Sequence, residues 1–128
     1  MPAPPAALTW YRFLNCGFKL PATAGTDKMS NDQVTGSVRT YVKIDGPFSY
    51  DGWLDAIRAG RTFVTTAPMM DLRVDGQPIG STLEVAAGAK LKLRATANSR
   101  LPVQVIEIIQ NGAVVARSEN PDRSIDFD

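Results

Sequence analysis

The sequence predicts an α+β chain: helices and short strands in the first half, then an antiparallel, immunoglobulin-like β-sandwich in the second. Three observations carry this. Tyr50, Trp53, Leu54 and Ile57 recur at i, i+3, i+4 and i+7, the spacing of one helix face. Residues 90–97 alternate, with Leu91, Leu93, Ala95 and Ala97 set against Lys90, Lys92, Arg94 and Thr96, as in a strand with one wet face. Asn111-Gly112 stands between two apolar runs and is the strongest short hairpin signal, because a type I′ turn needs positive φ at both central residues.

Taken in order, residues 1–5 (Met-Pro-Ala-Pro-Pro) lack the basic and apolar regions of a signal peptide and read as a flexible leader. Residues 6–18 keep helical spacing through Leu8, Tyr11, Leu14, Asn15 and Phe18, with Gly17 near the end. Cys16, the single cysteine, lies between Leu14 and Phe18 and is expected to be a buried structural thiol. Leu20-Pro21 leads the chain out, since the residue before proline avoids helical angles. Residues 22–26 are a short apolar strand candidate ending at Asp27, and residues 28–36 are a loop of turn formers. Residues 37–44 follow as a strand with Val38, Thr40, Val42 and Ile44 on one face.

Asp45-Gly46-Pro47 turns the chain into the helix on which the first half depends. Ser49 is placed to cap it, Asp51 lies in its first turn, Arg58 in its last, and Gly60 just beyond. Burying Tyr50 and Trp53 would remove roughly 150–250 Å² each from water, so Trp53 is expected to be a buried anchor. Residues 61–66 are β-branched and continue as a strand, and Pro68 breaks it. From residue 69 no helical period remains. Strands are expected at 70–74, closed by Asp75-Gly76, then at 83–85, 90–97, 103–110, 113–117 and 124–127. Turns fall at Ala87-Gly88 and over 119–122. Six strands are one fewer than the roughly seven of an immunoglobulin-like sandwich, so that sandwich is expected to be truncated. Residues 1–67 and 68–128 form the two units of this reading.

Composition narrows the chemistry. With 14 Lys and Arg against 13 Asp and Glu, the net charge is +1, which gives no general electrostatic case for nucleic acid or an anionic membrane. No run of about 18 apolar residues occurs, so no membrane-spanning helix is expected. The chain has no histidine. Ser-His-Asp and Cys-His arrangements are therefore excluded, as are histidine-based zinc sites. Chemistry within the chain would fall to carboxylates and lysines.

The sharpest constellation is Gly25-Thr26-Asp27, an aspartate at the end of a strand candidate behind a glycine that lets a ligand approach. A turn or capping carboxylate is the commoner role for such a residue. Asp51 and Asp55 share a helix face, where Asp55 can pair with Arg58. Asp71, Asp75 and Glu84 are oxygen donors whose spacing fits no calcium loop. Residues 75–80 carry two glycines but no lysine, so they make no phosphate cradle. Lys90, Lys92 and Arg94 form a stripe without interleaved aromatics, which reads as a solvated sheet face.

Several pieces recur together in order: Trp10 through Phe18 with Leu20-Pro21, Ala24-Gly25-Thr26-Asp27, Arg39-Thr40-Tyr41-Val42, Gly60 through Thr65, and Val74-Asp75-Gly76. Over about residues 8–117 this set resembles the C-terminal part of metal-dependent hydrolases of the polymerase-and-histidinol-phosphatase (PHP) superfamily, in the branch of carbaryl hydrolase. The resemblance implies that residues 1–67 are the last strand/helix segment of a distorted (β/α) barrel, with the sandwich appended. It implies two or three divalent metals (zinc, manganese or iron) in the full-length protein, activating water against an ester, amide or phosphoester. The last metal box of the family runs Gly-Ser/Thr-Asp-x-His. Here Gly25, Thr26 and Asp27 match and Met29 stands in place of the histidine, so Asp27 is the one position to which a metal-ligand role carries over. No catalytic residue and no cofactor-binding residue is assigned to this chain. The expected partners are the rest of the parent hydrolase, or further copies of the chain meeting through the exposed barrel-remnant surface. The alternative is a self-contained sandwich acting as a binding or assembly module.

Overall fold

The computed structural model describes residues 5–119 and 124–127, so the expected leader at 1–4 and most of the turn at 119–122 lie outside it. The chain is mixed α/β, with two helices and antiparallel sheets. In order the elements are α1 (Pro5–Asn15), β1 (Arg39–Val42), α2 (Tyr50–Arg58), β2 (Thr62–Thr65), β3 (Met69–Val74), β4 (Gln77–Pro78), β5 (Leu93–Asn98), β6 (Val105–Gln110), β7 (Ala113–Glu119) and β8 (Ser124–Phe127). Neither described helix is long and apolar enough to cross a membrane.

Both helices end in the same way. In α1, Gly17 N–H donates to Leu14 O (2.9 Å) and Phe18 N–H to Phe13 O (3.1 Å). That is a Schellman stop, and its usual hydrophobic contact is present as an edge-on Phe13–Phe18 pair with centroids 6.0 Å apart. In α2, Gly60 N–H donates to Ile57 O and Arg61 N–H to Ala56 O, both at 2.9 Å. Ser49 caps the other end: its backbone is extended and its hydroxyl accepts from Gly52 N–H at 3.1 Å.

Strands β1 and β2 pair antiparallel with Tyr41 opposite Phe63, whose rings stack at 5.4 Å. Helix α2 connects them and packs on β1. The pair is antiparallel rather than the parallel pairing expected within a (β/α) barrel. The second half has two antiparallel sheets, one in the order β4-β3-β5-β8 and one of β6 with β7. This is compatible with a β-sandwich; among the described residues it has six strands, five of them where strands are expected. Asn111 (φ 53°) and Gly112 (φ 82°) both take the left-handed angles of the expected type I′ turn.

Four expectations are corrected. Residues 22–26 form no strand, because threonine hydroxyls rather than a backbone ladder hold them, as described below. Residues 83–85 form none either; the free edge of β3 is taken instead by β4, a two-residue strand whose Pro78 suits an edge. Strand β5 starts at Leu93 rather than residue 90, because the Asp75 carboxylate takes the Lys92 N–H (2.8 Å) and ends the ladder there. Cys16 is exposed: it falls in the turn that stops α1, beyond the helix face that could have covered it.

Trp53 is only half-buried and Tyr50 is exposed, so the anchor is weaker than its spacing implies. The residue of α2 that is fully buried is Ala56. Ala56, Ala95, Ala97 and Ile108 are the buried hydrophobic side chains among the described residues. That is a thin core. A compact monomer of 13.8 kDa exposes about 6,600 Å², whereas this chain exposes 9689 Å².

Candidate functional site

The segment that ends at Asp27 is strapped to the β1–β2 pair by threonines. Thr40 Oγ1 accepts from Ala24 N–H and is in turn within 2.8 Å of Ala24 O. Thr62 Oγ1 donates to Ala22 O at 2.9 Å, and Thr26 Oγ1 accepts from Val38 N–H at 3.2 Å. Thr62 is itself buried. These hydroxyls satisfy backbone groups that a ladder would otherwise pair.

Asp27 closes the segment in the left-handed region (φ 46°), an angle that aspartate tolerates better than most residues. Its side chain is exposed. Met29, at the histidine position of the family box, is 84% exposed. Beyond it, Lys28 Nζ donates to Gln33 O (2.9 Å) and Gln33 Oε1 accepts from Met29 N–H (2.8 Å), which ties the loop to itself. In the same loop Ser30 hydrogen-bonds Asp32, and this holds the Asp32 carboxyl below its ordinary value.

The other carboxylates singled out by the sequence lie on separate elements and loops. Asp55 pairs with Arg58 at 3.0 Å, as their spacing suggested. Asp71 pairs with Arg73 at 2.9 Å, while Asp75 accepts from the Lys92 backbone and Glu84 lies in an exposed loop. Among the described residues no three His, Cys, Asp or Glu side chains come together as a metal site would need. Lys90 and Lys92 precede β5 and Arg94 lies within it, so the three do not share one strand face.

Two features escaped sequence reasoning. The first is the meeting of Gly80 with the end of α2, where Gly60 and Gly80 approach so closely that a Cβ on Gly60 would lie 3.6 Å from Gly80 Cα. Lys19 Nζ donates to Gly80 O there (2.9 Å), so three distant segments converge. The Gly-rich run at 75–80 was the available signal. The second is an apolar cavity of about 390 Å³ between the β3–β5 face and β6. Its signal was the small residues Ala95 and Ala97 on the inward side of a strand.

No family model, curated protein or solved structure matches this chain.

Proposed function

We propose that this chain is the C-terminal part of a PHP-like metal-dependent hydrolase. In this reading it is non-catalytic by itself and serves as a docking and completing unit for a metal site held mainly by another segment. The observation that carries the proposal is the surplus of about 3,000 Å² of accessible surface over a compact monomer of this size. Part of it is large apolar side chains on and just after α1, where Leu8, Phe13, Leu14 and Phe18 are all exposed. An apolar cluster of this kind is a candidate interaction surface. The ordered motif set supplies the identity of what would cover it, namely the preceding strands and helices of the barrel. The antiparallel β1–β2 pair then serves as the bridge from the barrel to the sandwich.

Zinc, manganese or iron in the parent would supply activated water for ester, amide or phosphoester hydrolysis. This chain offers it Asp27, at the end of a threonine-strapped segment, and no histidine. The parent's other ligands would have to come from elsewhere, since fold and motif order alone do not make a site.

The test joins genetics to biochemistry. The reading frame that encodes the chain is expected to hold His-x-His and further His and Asp motifs ahead of it. The joined polypeptide is expected to hydrolyse ester or phosphoester substrates in added manganese or zinc, while the chain alone does not. Turnover by the chain alone that Asp27→Ala abolishes would overturn the reading in favour of a carboxylate-only enzyme. A frame without any histidine-bearing segment would overturn the parentage.

A further inference from the structure

The thin core of the second half borders a half-open apolar cavity. Met70 and Leu72 of β3 stand opposite Ala97 and Ala95 of β5 in the antiparallel register, so all four share one sheet face. Facing sheets in a sandwich lie about 10 Å apart, and side chains from both must interdigitate to fill that gap. On this face β5 presents Leu93, Ala95 and Ala97, and the two alanines fill little of the gap. The opposing wall comes from β6, through Ile106 and Ile108, and the result is the cavity of about 390 Å³. Ala95, Ala97 and Ile108 line its inner wall and are also three of the four buried hydrophobic residues described, while Met70 and Val105 at its rim are exposed, so the cavity reaches the core and opens to solvent.

We propose that this cavity is a binding site for a small neutral apolar molecule of about the size of one or two fused rings. Its volume falls in the range of roughly 300–1,000 Å³ of small-molecule sites, and such sites are mostly apolar with few polar groups. Apolar lining atoms that lack contact partners on the open side favour an apolar guest, which supplies the dispersion contacts and removes apolar surface from water. Charge argues for a neutral guest. The ionic groups at the wall are Asp71 and Glu107, and each is already paired with an arginine, Arg73 and Arg117 respectively. An anion would meet these carboxylates, and a cation would have to displace an arginine. The way in is also present: Pro68, Val103 and Val105 line both the cavity and a shallower cleft on the surface beside it.

The test is a titration of the whole chain with indole, followed by methyl-selective carbon–proton NMR, with indole-3-acetate as the charged counterpart. Saturable one-to-one shifts are expected at the methyls of Leu72, Ile79, Ile106 and Ile108, with indole-3-acetate binding at least tenfold more weakly. Ala97→Leu, which places three more carbon atoms in the void, is expected to weaken indole binding at least tenfold while the spectrum stays dispersed. Should Ala97→Leu fail to fold, Ala95→Val provides the smaller graded version, expected to weaken binding severalfold. Three results would overturn the proposal: no saturable shift in the unaltered chain, unchanged affinity in a folded cavity-filling variant, or shifts concentrated at Leu8 and Leu14 on α1.

Discussion

Replacing Gly80 by alanine is expected to destabilise the chain by about 2–5 kcal/mol, and the structure separates the two parts of that cost. Gly80 has φ 84°, a left-handed angle at which an L side chain is strained by roughly 1–2 kcal/mol. A Cβ there would also lie 2.6 Å from Ala59 O, 2.9 Å from Gly60 C and 3.0 Å from Arg61 Cγ. Two of these neighbours are backbone at the Schellman stop of α2, which cannot rotate away as a side chain can. Forcing them apart is an overpacking error, worth about 1–3 kcal/mol. Gly88 supplies the control. It has nearly the same angle (φ 80°) but no atom within 4 Å of its would-be Cβ. Gly88→Ala should therefore cost only the strain, and the loss of unfolded-state freedom on adding a Cβ cancels between the two variants. Urea denaturation followed by far-UV circular dichroism gives both values. If Gly80→Ala is no more destabilising than Gly88→Ala, the close approach of the 75–80 turn to α2 is not a feature of the folded chain.

Ser49→Ala is expected to cost about 1 kcal/mol through loss of the α2 cap, with Ser49→Asp close to neutral, both read by the same denaturation. Because Trp53 is half-buried, Trp53→Ala is expected to cost about 2 kcal/mol rather than the 3–5 kcal/mol of a fully buried aromatic; a loss at the upper figure would mean that more of the ring is covered than the fold shows. At high concentration the chain alone is expected to scatter light as a dimer or larger, and Leu8→Glu with Leu14→Glu to return it to monomer; a clean monomer at the outset counts against an uncovered α1 face. The Asp32 carboxyl should titrate below the ordinary aspartate value by NMR, and Ser30→Ala should remove most of that lowering. Its contribution to the 28–36 loop is present above the unfolded-state pKa and lost as pH falls through the depressed folded value, so the loop should loosen in acid and not in base.

Much of the local structure was legible because local chemistry determines it. The Ser49 cap, the Gly60 stop, the Asp55–Arg58 pair and the Asn111-Gly112 turn each need only a few adjacent residues, and each stands where the sequence puts it. What failed depended on distant partners. Residues 22–26 have the composition of a strand, yet what they meet is hydroxyls from Thr40 and Thr62, and nothing in five residues could report that. Residues 83–85 lost the sheet edge to Gln77–Pro78, whose proline argues against a strand on local grounds. Burial was overestimated at Cys16, Tyr50 and Trp53 for a common reason: periodicity says which side of an element is apolar, not whether anything lies against it. The candidate site follows the same division. Asp27 is legible as the end of a segment, and its left-handed angle fits the turn role its residue type favours. Ligand convergence is a tertiary property, and the motif carried no information on it.

The links between the two halves of the chain indicate where cohesion is lacking. Lys19 reaches Gly80 O at 2.9 Å and Asn15 Nδ2 reaches Asn111 O at 3.2 Å, and both contacts are exposed to solvent. Exposed hydrogen bonds of this kind exchange one partner for water at little net gain, about 0.5–1.5 kcal/mol each. They orient α1 and the residues after it but bury little apolar surface, so Leu8, Phe13, Leu14 and Phe18 stay outside the core that the strands make. Together these four side chains, each 36–57% exposed, present an apolar surface on α1 and just after it. Covering even part of it would outweigh those two hydrogen bonds, because burial scales with area while each bond contributes once. Residues 5–20 are therefore expected to be more open to change than residues 22–26, which the threonine hydroxyls hold.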